Sequence, residues 1–276
     1  MFKERIIMKK IISLLCTASL AVTAFAGCAG NSENTDWDYI AKNKSMTIGI
    51  TYFEPMNYMD DNGKLTGFET EFAEAVCEKL GVEAKFQKID WESKEVELNA
   101  KTIDCIWNGM TITDERKANM DISVPYMENK QVMVVKEENA DKFKDAASLK
   151  DATVVAEKQS AGESVAKEDE FFSSATYVSV DSQAKALMEV KSGTADVAII
   201  DYVMSIGSIG EGTDYADLSV NEKGFAEEQY GIAFRKNSPE TVEKVNSAIQ
   251  ELANDGTLET IAKKYKLDEL LLVEAK

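Results

Sequence analysis

Hydrophobic periodicity divides the first half of the chain into alternating strands and helices. Short apolar runs at residues 46–50, 82–86 and 103–107 are typical of buried strands. Between the first two runs, residues 68–80 place apolar side chains three and four positions apart, which predicts a helix that ends at Gly81. The order strand, helix, strand favours a parallel sheet covered by helices.

The same order recurs in the second half of the chain. Strands are predicted at 150–155, 176–180 and 196–200, and helices at 163–170 and 183–191. Two extended segments connect the two units, and a helical tail follows them; these are residues 127–136, 229–235 and 239–266. Two α/β lobes are therefore predicted, and a pair of crossing segments can act as a hinge between rigid lobes.

The segment 104–116 has the composition of a carboxylate-binding site. Arg116 offers a planar fork of donors, Gly109 permits a close approach to the backbone, and Thr111 adds a hydroxyl. Thr113 is predicted to be the N-cap of a helix that carries the arginine. The alternative is a surface helix whose arginine is solvated.

The N-terminus has the features of an export signal. Basic residues precede an apolar run that is too short to span a membrane, and small residues follow it, so residues 1–27 are predicted to be a cleaved signal peptide. The ending at Cys28 resembles the lipobox of bacterial lipoproteins, although Phe25 departs from the usual leucine. A lipid on Cys28 is therefore expected, with 28–38 as a tether; ordinary cleavage beside an inert Cys28 is the alternative. Both Met1 and Met8 are possible starts of translation.

Composition excludes several classes of function. Aspartate and glutamate number 49 against 31 lysines and arginines, so the net charge of −18 repels nucleic acid and bare anionic lipid. The chain contains no histidine, which argues against a zinc enzyme and a serine-histidine hydrolase. Cys77 and Cys105 are predicted to be small buried residues, and neither a metal nor a cofactor is expected.

Six segments in register across the two predicted lobes carry a resemblance to a known family. The chain resembles the bacterial amino-acid-binding proteins that serve ABC importers, the extracellular solute-binding proteins of family 3. The segments are 63–68, 103–116, 123–126, 193–201, 230–236 and 255–265.

This resemblance implies an α/β, two-lobed periplasmic-binding-protein-like fold of type II with two hinge crossings. Lobe 1 would comprise residues 39–127 and 230–276, and lobe 2 residues 128–229. The implied function is to capture a polar amino acid outside the cell membrane and to deliver it to an ABC permease. The protein would be a monomer held at the membrane by its lipid anchor.

The resemblance also implies which residues bind the ligand. Arg116 falls on the arginine that holds the α-carboxylate, with Gly109 and Thr111 beside it. Asp201 falls on the acid that accepts the α-ammonium from lobe 2. A zwitterion needs one fixed cation and one fixed anion, which agrees with this pair. For Asp201, a helix cap after a strand is the alternative.

The walls of the implied site are less strongly specified. Phe53 and Trp91 fall where the family places apolar or aromatic walls, although either could be ordinary core. Asn108 is expected to be a polar lining residue. From lobe 2, Ser160 and the backbone of Ala161 are expected to donate at a helix start.

The chain departs from the family pattern at two positions of this lobe 2 segment. Gln159 stands where glycine is usual, and Ala161 stands where some members carry a hydroxyl that contacts the ligand. The identity of the bound amino acid stays open on these grounds.

Two other functions use the same fold. A few proteins of this architecture are dehydratases, but the chain lacks histidine, so acidic residues would have to supply the acid-base chemistry. A sensory receptor domain is the other alternative, and no second apolar segment precedes the end at Lys276. A non-enzymatic solute receptor is the preferred prediction.

Overall fold

The structure, a computed structural model, describes residues 35–276. Its strands are β1 (Ser45–Ile50), β2 (Tyr58–Met59), β3 (Leu65–Thr66), β4 (Glu83–Lys88), β5 (Cys105–Ile106), β6 (Met120–Ile122), β7 (Met127–Lys136), β8 (Thr153–Glu157), β9 (Thr176–Val180), β10 (Val197–Asp201), β11 (Leu218–Tyr230) and β12 (Ala233–Arg235). Its α-helices are α1 (Asp36–Asn43), α2 (Phe68–Leu80), α3 (Lys94–Asn99), α4 (Asp114–Asn119), α5 (Ala161–Glu168), α6 (Gln183–Ser192), α7 (Tyr202–Ser208), α8 (Pro239–Asn254) and α9 (Thr257–Lys264).

Two five-stranded sheets form the framework of the two predicted lobes. The first has the order β4-β1-β5-β12-β6, and the second has the order β11-β7-β10-β8-β9. In the first sheet β1 is parallel to β4 and β5, and in the second β8 is parallel to β9 and β10. The strands of each sheet that lie next to the crossings are antiparallel to their neighbours. The α/β prediction is therefore confirmed.

The chain passes between the sheets twice. The first passage leads from β6 into β7, and the second leads from β11 into β12. The passages lie side by side, since Met127 is paired with Tyr230 and the Ser123 hydroxyl accepts a hydrogen bond from the Ile232 amide at 2.9 Å. A Cβ on Gly231 would lie 2.6 Å from the Ile122 side chain, so this crossing needs a glycine.

Strand β11 extends beyond its prediction. It begins at Leu218, whereas the sequence indicated an extended segment from residue 229 only. Its pairing with β7 shifts register on both sides of Gly224, so the alternation of apolar and polar residues is interrupted. The predicted helical tail also differs, because α8 ends at Asn254 and α9 begins after Gly256, which has a φ of +79°.

The apolar faces of the helices cover the sheets as predicted. Phe72, Ala73 and Val76 of α2 are buried, and Gly81 ends that helix in the left-handed conformation. Cys77 and Cys105 are buried free thiols, and burial raises the pKa of the Cys77 thiol to about 12. None of the helices within residues 35–276 is long and apolar enough to cross a bilayer.

The predicted tether extends too far. The Thr35 hydroxyl accepts a hydrogen bond from the Asp38 amide, and the Asp38 carboxylate accepts one from the Thr35 amide, so α1 begins inside the segment 28–38. Asp36 also lies 2.7 Å from Arg235 of β12. Residues 35–38 therefore belong to the fold. The predicted signal peptide and the lipidation site Cys28 lie outside the described residues.

Candidate functional site

A small cavity lies between the two sheets, where loops that follow their parallel strands meet. Its volume is about 10 Å³, room for about one water-sized sphere, so the two sheets' loops lie close together around it in this structure. Eight of the predicted site residues line it, together with Glu157 and Gln183, which were not predicted. The eight are Trp91, Asn108, Gly109, Thr111, Arg116, Ser160, Ala161 and Asp201.

Arg116 is a buried cation without an acidic partner. It lies on α4, and the predicted N-cap is confirmed because the Thr113 hydroxyl accepts the Arg116 amide. Its guanidinium donates to the Thr111 carbonyl at 2.7 Å and to the Gln159 carbonyl at 3.3 Å. Within residues 35–276 no carboxylate lies within 4.0 Å of it, although only 8% of the residue is exposed. Burial lowers the pKa of Arg116, and Glu228 and Asp201 oppose that effect.

A fully buried carboxylate supports the loop that holds Gly109. Glu69 of α2 accepts hydrogen bonds from the Gly109 amide at 2.7 Å, the Asn57 side-chain amide at 2.7 Å and the Tyr126 hydroxyl. Burial raises the pKa of Glu69 to about 7, and these donors oppose the shift. Gly109 has a φ of +54°, and a Cβ there would lie 2.6 Å from the Phe53 ring. Glycine is therefore required on both counts.

Phe53 and Asn108 have structural roles at this edge. Phe53 packs in the hydrophobic core behind Gly109 and is not among the residues that line the cavity. Asn108 lines the cavity, but its side-chain oxygen accepts from the Thr51 amide and the Asn57 side chain, and its nitrogen donates to the Thr51 hydroxyl. The Asn108 side chain therefore forms part of the cavity wall, and both atoms of its amide are bonded within the protein.

Trp91 forms one wall and lies against two cations. The Arg116 guanidinium carbon is 5.9 Å from the centre of its ring, and Lys94 Nζ is 4.7 Å from it. Lys94 is 2% exposed, and its ammonium donates to the carbonyls of Trp91 and Gln159. Burial and, to a smaller extent, Arg116 lower the pKa of Lys94 to about 8. The buried Trp91 Nε1 has no hydrogen-bond partner within residues 35–276.

Asp201 is held by three side-chain amides. It is the last residue of β10, and its carboxylate accepts hydrogen bonds from Asn129 at 2.7 Å, from Gln131 at 2.6 Å and from Gln183. Its side chain makes no capping bond to α7, although it occupies the N-cap position. Burial raises the pKa of Asp201, and the amide donors oppose that shift. These donors fix the carboxylate at the cavity.

A second buried carboxylate shares the amides that hold Asp201. Glu228 of β11 accepts from Gln131 at 2.7 Å, from Asn129, and from the Thr111 hydroxyl at 3.1 Å. Burial and Asp201 raise the pKa of Glu228 to about 7. The bond to Thr111 connects the two sheets, so Thr111 contributes to the contact between lobes.

The segment after β8 closes the cavity from the second lobe. Gln159 has a φ of +57°, so the glycine that the family usually carries here would suit the backbone better. Its carbonyl accepts from both Arg116 and Lys94 of the first lobe. The Ser160 hydroxyl accepts from the Glu163 amide and caps α5, so this predicted donor is already engaged with the backbone. Ala161 lines the cavity.

Four charged or polar residues around the cavity were missed by sequence reasoning. Gln183 and Glu157 line it, and Lys94 and Glu228 lie immediately behind the lining. For Glu157 a weak signal was present, because it lies two residues after the predicted strand 150–155, which the structure extends to Glu157 beside the strand that ends at Asp201. The burial of Lys94 and Glu228 depends on contacts between distant segments, which hydrophobic periodicity does not report.

A larger and more open groove lies elsewhere on the first lobe. It has a volume of about 840 Å³ and lies between the loop at Ser123 and Pro125 and helix α8. None of the predicted site residues lines it. Among the described cavities, the small one therefore holds the predicted chemistry.

Comparison with known proteins identifies the family and the fold. A model of the bacterial extracellular solute-binding proteins of family 3 matches residues 46–268. The L-cystine-binding protein TcyJ of Escherichia coli (strain K12) is 30% identical over 265 residues, which is 93% of this chain and 97% of the relative.

Solved structures of binding proteins have the same architecture. The crystal structure of the P235GK mutant of ArgBP from T. maritima has a TM-score of 0.76 at 30% identity and covers 84% of this chain and 99% of that chain. The ancestral amino acid-binding protein AncCDT-1, a precursor of cyclohexadienyl dehydratase, has a TM-score of 0.75 at 33% identity and covers 83% and 98%. The predicted two-lobed type II fold is confirmed by these likenesses.

Proposed function

The chain belongs to the bacterial extracellular solute-binding proteins of family 3, and we propose that it is the substrate-binding component of an ABC importer for a polar amino acid. One observation carries the proposal. The buried Arg116, which has no acidic partner within residues 35–276, lines the same cavity as the carboxylate of Asp201. An α-amino acid supplies the opposite charge to each of them.

The two charges come from different lobes, which suggests how the ligand would act. Arg116 would hold the α-carboxylate on the first lobe, with Gly109 and Thr111 beside it, and Asp201 would accept the α-ammonium from the second. A zwitterion makes both ionic contacts only when the lobes are together, so binding would favour the closed state. The two adjacent crossings at Met127 and Tyr230 would supply the hinge. An ABC permease would then recognise the closed form.

Thermal shift over the common amino acids, cystine and ornithine tests this proposal. TcyJ is named as an L-cystine-binding protein, and a solved structure of ArgBP holds arginine, so both ligands belong in the panel. At 100 times its dissociation constant a ligand adds about 2.7 kcal/mol to the free energy of unfolding. For a chain of this size we expect a rise in Tm of roughly 5–10 °C with at least one amino acid. No shift with any of them would contradict the proposal.

Catalysis is the second candidate, because buried carboxyl groups surround the cavity. Glu157 and Glu228 have raised pKa values, and such groups can serve as general acids. AncCDT-1 is named as a precursor of a dehydratase. Arg116 and Asp201 offer separate positive and negative charges, which suit the two α-groups of an intact amino acid, so we propose that the ligand is released unchanged. Mass spectrometry of the ligand after prolonged incubation with the protein distinguishes the two functions.

We also propose export and lipid anchoring at the outer face of the membrane. The apolar segment before Cys28 supports a cleaved signal, and diacylation of Cys28 would add two acyl chains, which are enough for stable attachment. The acidic surface makes a second, electrostatic anchor unsuitable. A monomer suffices for this role.

Cys28→Ser is expected to move the protein from the membrane fraction to the soluble or unprocessed fraction. The reason is that a serine hydroxyl cannot take the thioether-linked lipid. Fractionation of the producing cells, with Cys77→Ser as the matched control, measures the effect. Tight membrane association of a cleaved Cys28→Ser protein would exclude Cys28 as the anchor.

A further inference from the structure

Glu157 is a buried carboxyl group whose hydrogen-bonding capacity is unused. It is the last residue of β8, beside the end of β10, and it lines the cavity that holds Arg116 and Asp201. Only 4% of the residue is exposed, and its Oε1 has no hydrogen-bond partner within residues 35–276. Buried polar atoms are nearly always bonded in folded proteins, so this oxygen requires an explanation.

Charged groups face Glu157 from three elements. Asp201 of β10 raises its pKa, Lys94 of α3 lowers it, and Arg116 of α4 lines the same cavity. Burial is the largest influence, and the pKa of Glu157 rises to about 8. Lys94 does not neutralise it by contact, because its ammonium is bonded to two carbonyl oxygens and no carboxylate within residues 35–276 lies within 4.0 Å of it.

The α-groups of a bound amino acid would not supply the hydrogen bond that Glu157 lacks. In the proposed function, Arg116 takes the carboxylate and Asp201 takes the ammonium. Asn108 is engaged with Thr51, and the Ser160 hydroxyl caps α5, so neither is a free acceptor for the rest of the ligand. Gln183 is engaged with Asp201 through both atoms of its amide, so among the acidic and amide side chains of the lining the Glu157 carboxyl group is the acceptor that remains.

We propose that Glu157 accepts a hydrogen bond from the end of the ligand's side chain, so that the site selects amino acids whose side chain ends in a donor. An ammonium, a guanidinium or a carboxamide meets this requirement. An alkyl end does not, and neither does a carboxylate once Glu157 is ionised. The inference rests on the proposed function, since it assumes that the α-groups occupy Arg116 and Asp201. It deepens that function by naming the class of substrate and the residue that selects it.

Isothermal titration with matched ligand pairs at pH 8.5, where Glu157 is mostly ionised, tests the selection. The pairs are lysine with norleucine and glutamine with glutamate. In each pair the first member has a hydrogen-bond donor at the end of its side chain and the second does not. We expect the wild-type protein to bind the donor-bearing member of at least one pair 10- to 100-fold more tightly, and Glu157→Leu to remove that preference. Norleucine should bind Glu157→Leu at least as well as it binds the wild type. Unchanged discrimination in Glu157→Leu would overturn the inference.

The dependence on pH separates Glu157 from its neighbours. At pH 6 to 7 the raised pKa keeps Glu157 mostly protonated, and a cationic side chain binds better to the ionised form, so binding releases a proton. The affinity for lysine or arginine should therefore rise with pH, by up to tenfold per unit, and should level off near pH 8. Glu157→Gln should lose this slope.

Lys94→Met is the matched control, because the pKa of Lys94 also lies near 8. Lys94→Met should keep the dependence of ligand affinity on pH that Glu157→Gln loses; the reverse result would assign this dependence to Lys94 and overturn the inference.

Both Glu157 variants remove a buried carboxyl group whose Oε1 has no hydrogen-bond partner within residues 35–276, and they are expected to fold at least as well as wild type. Binding of leucine or glutamate in preference, unaffected by Glu157→Leu, would refute the inference alone. Failure to bind any amino acid would refute the proposed function as well.

Discussion

Arg116→Ala is expected to weaken amino-acid binding by roughly thirty- to several-thousand-fold while the fold stays intact. The variant removes the buried cation that would hold the α-carboxylate, and loss of such a charge-assisted pair costs about 2–5 kcal/mol. Stability should hardly fall, because the guanidinium is bonded only to the carbonyls of Thr111 and Gln159 and its burial is costly without a ligand.

Calorimetry on the purified variant measures this loss, and Lys117→Ala is the matched control. Lys117 is the next residue of α4 and is exposed, so its removal takes the same charge from the same helix without touching the cavity. We expect the affinity of Lys117→Ala to equal that of wild type. An affinity of Arg116→Ala within threefold of wild type would remove Arg116 from the site.

The two arginines of the described chain illustrate what the sequence could and could not reveal. Arg116 follows a small polar segment at a helix start, a pattern that left a solvated surface arginine as the alternative, and the family resemblance was needed to predict a carboxylate-binding role. Arg235 lies in an equally strong family segment, yet it has a structural role: it contacts Asp36 at 2.7 Å and Asp104 at 3.2 Å, and it donates to two carbonyls. Only the contacts in the folded structure distinguish a buried arginine that carboxylates neutralise from one that is free to bind a ligand.

Local signals predicted most of the fold. The capped helix at Thr113, the helix end at Gly81 and the strand ending at Asp201 depend on neighbouring residues, and the structure has all three. Strand β11 was only partly predicted, because its irregular pairing near Gly224 removes the alternation on which a strand assignment depends. Helix α1 was not predicted, because its start is marked by the capping box at Thr35 within a segment that is otherwise polar and acidic.

The residues that line the cavity were predictable where they occupy a family position, and they were not predictable where only burial in the folded structure brings them there. Gly109, Arg116 and Asp201 follow from the resemblance and line one cavity. Glu157 and Glu228 would be ordinary surface acids in most sequences, since glutamate is seldom buried without a partner. Their raised pKa values arise from packing between segments that are distant in the chain, chiefly through desolvation. Such a burial pattern cannot be inferred from one sequence.

Asp201→Asn is expected to weaken binding about as strongly as Arg116→Ala and, in addition, to prevent ligand-driven closure. The asparagine keeps the shape but loses the charge that would hold the α-ammonium. Three amides of the second lobe already orient Asp201, so the contact is pre-organised and its loss cannot be compensated by a small movement. The remaining contacts would lie on the first lobe, where Arg116 could still hold the carboxylate.

Small-angle scattering at saturating ligand distinguishes this effect from a general loss of affinity. A ligand shifts an equilibrium between open and closed states only by its differential affinity for the two. If Asp201 supplies that difference, the wild-type protein becomes more compact with ligand and Asp201→Asn does not, even at concentrations that saturate its weakened site. Arg116→Ala, once saturated, should still become compact through Asp201. Full compaction and unchanged affinity in Asp201→Asn would mean that the second lobe holds the ammonium through another group, and Glu228, which shares the same amide donors, would be the next residue to replace.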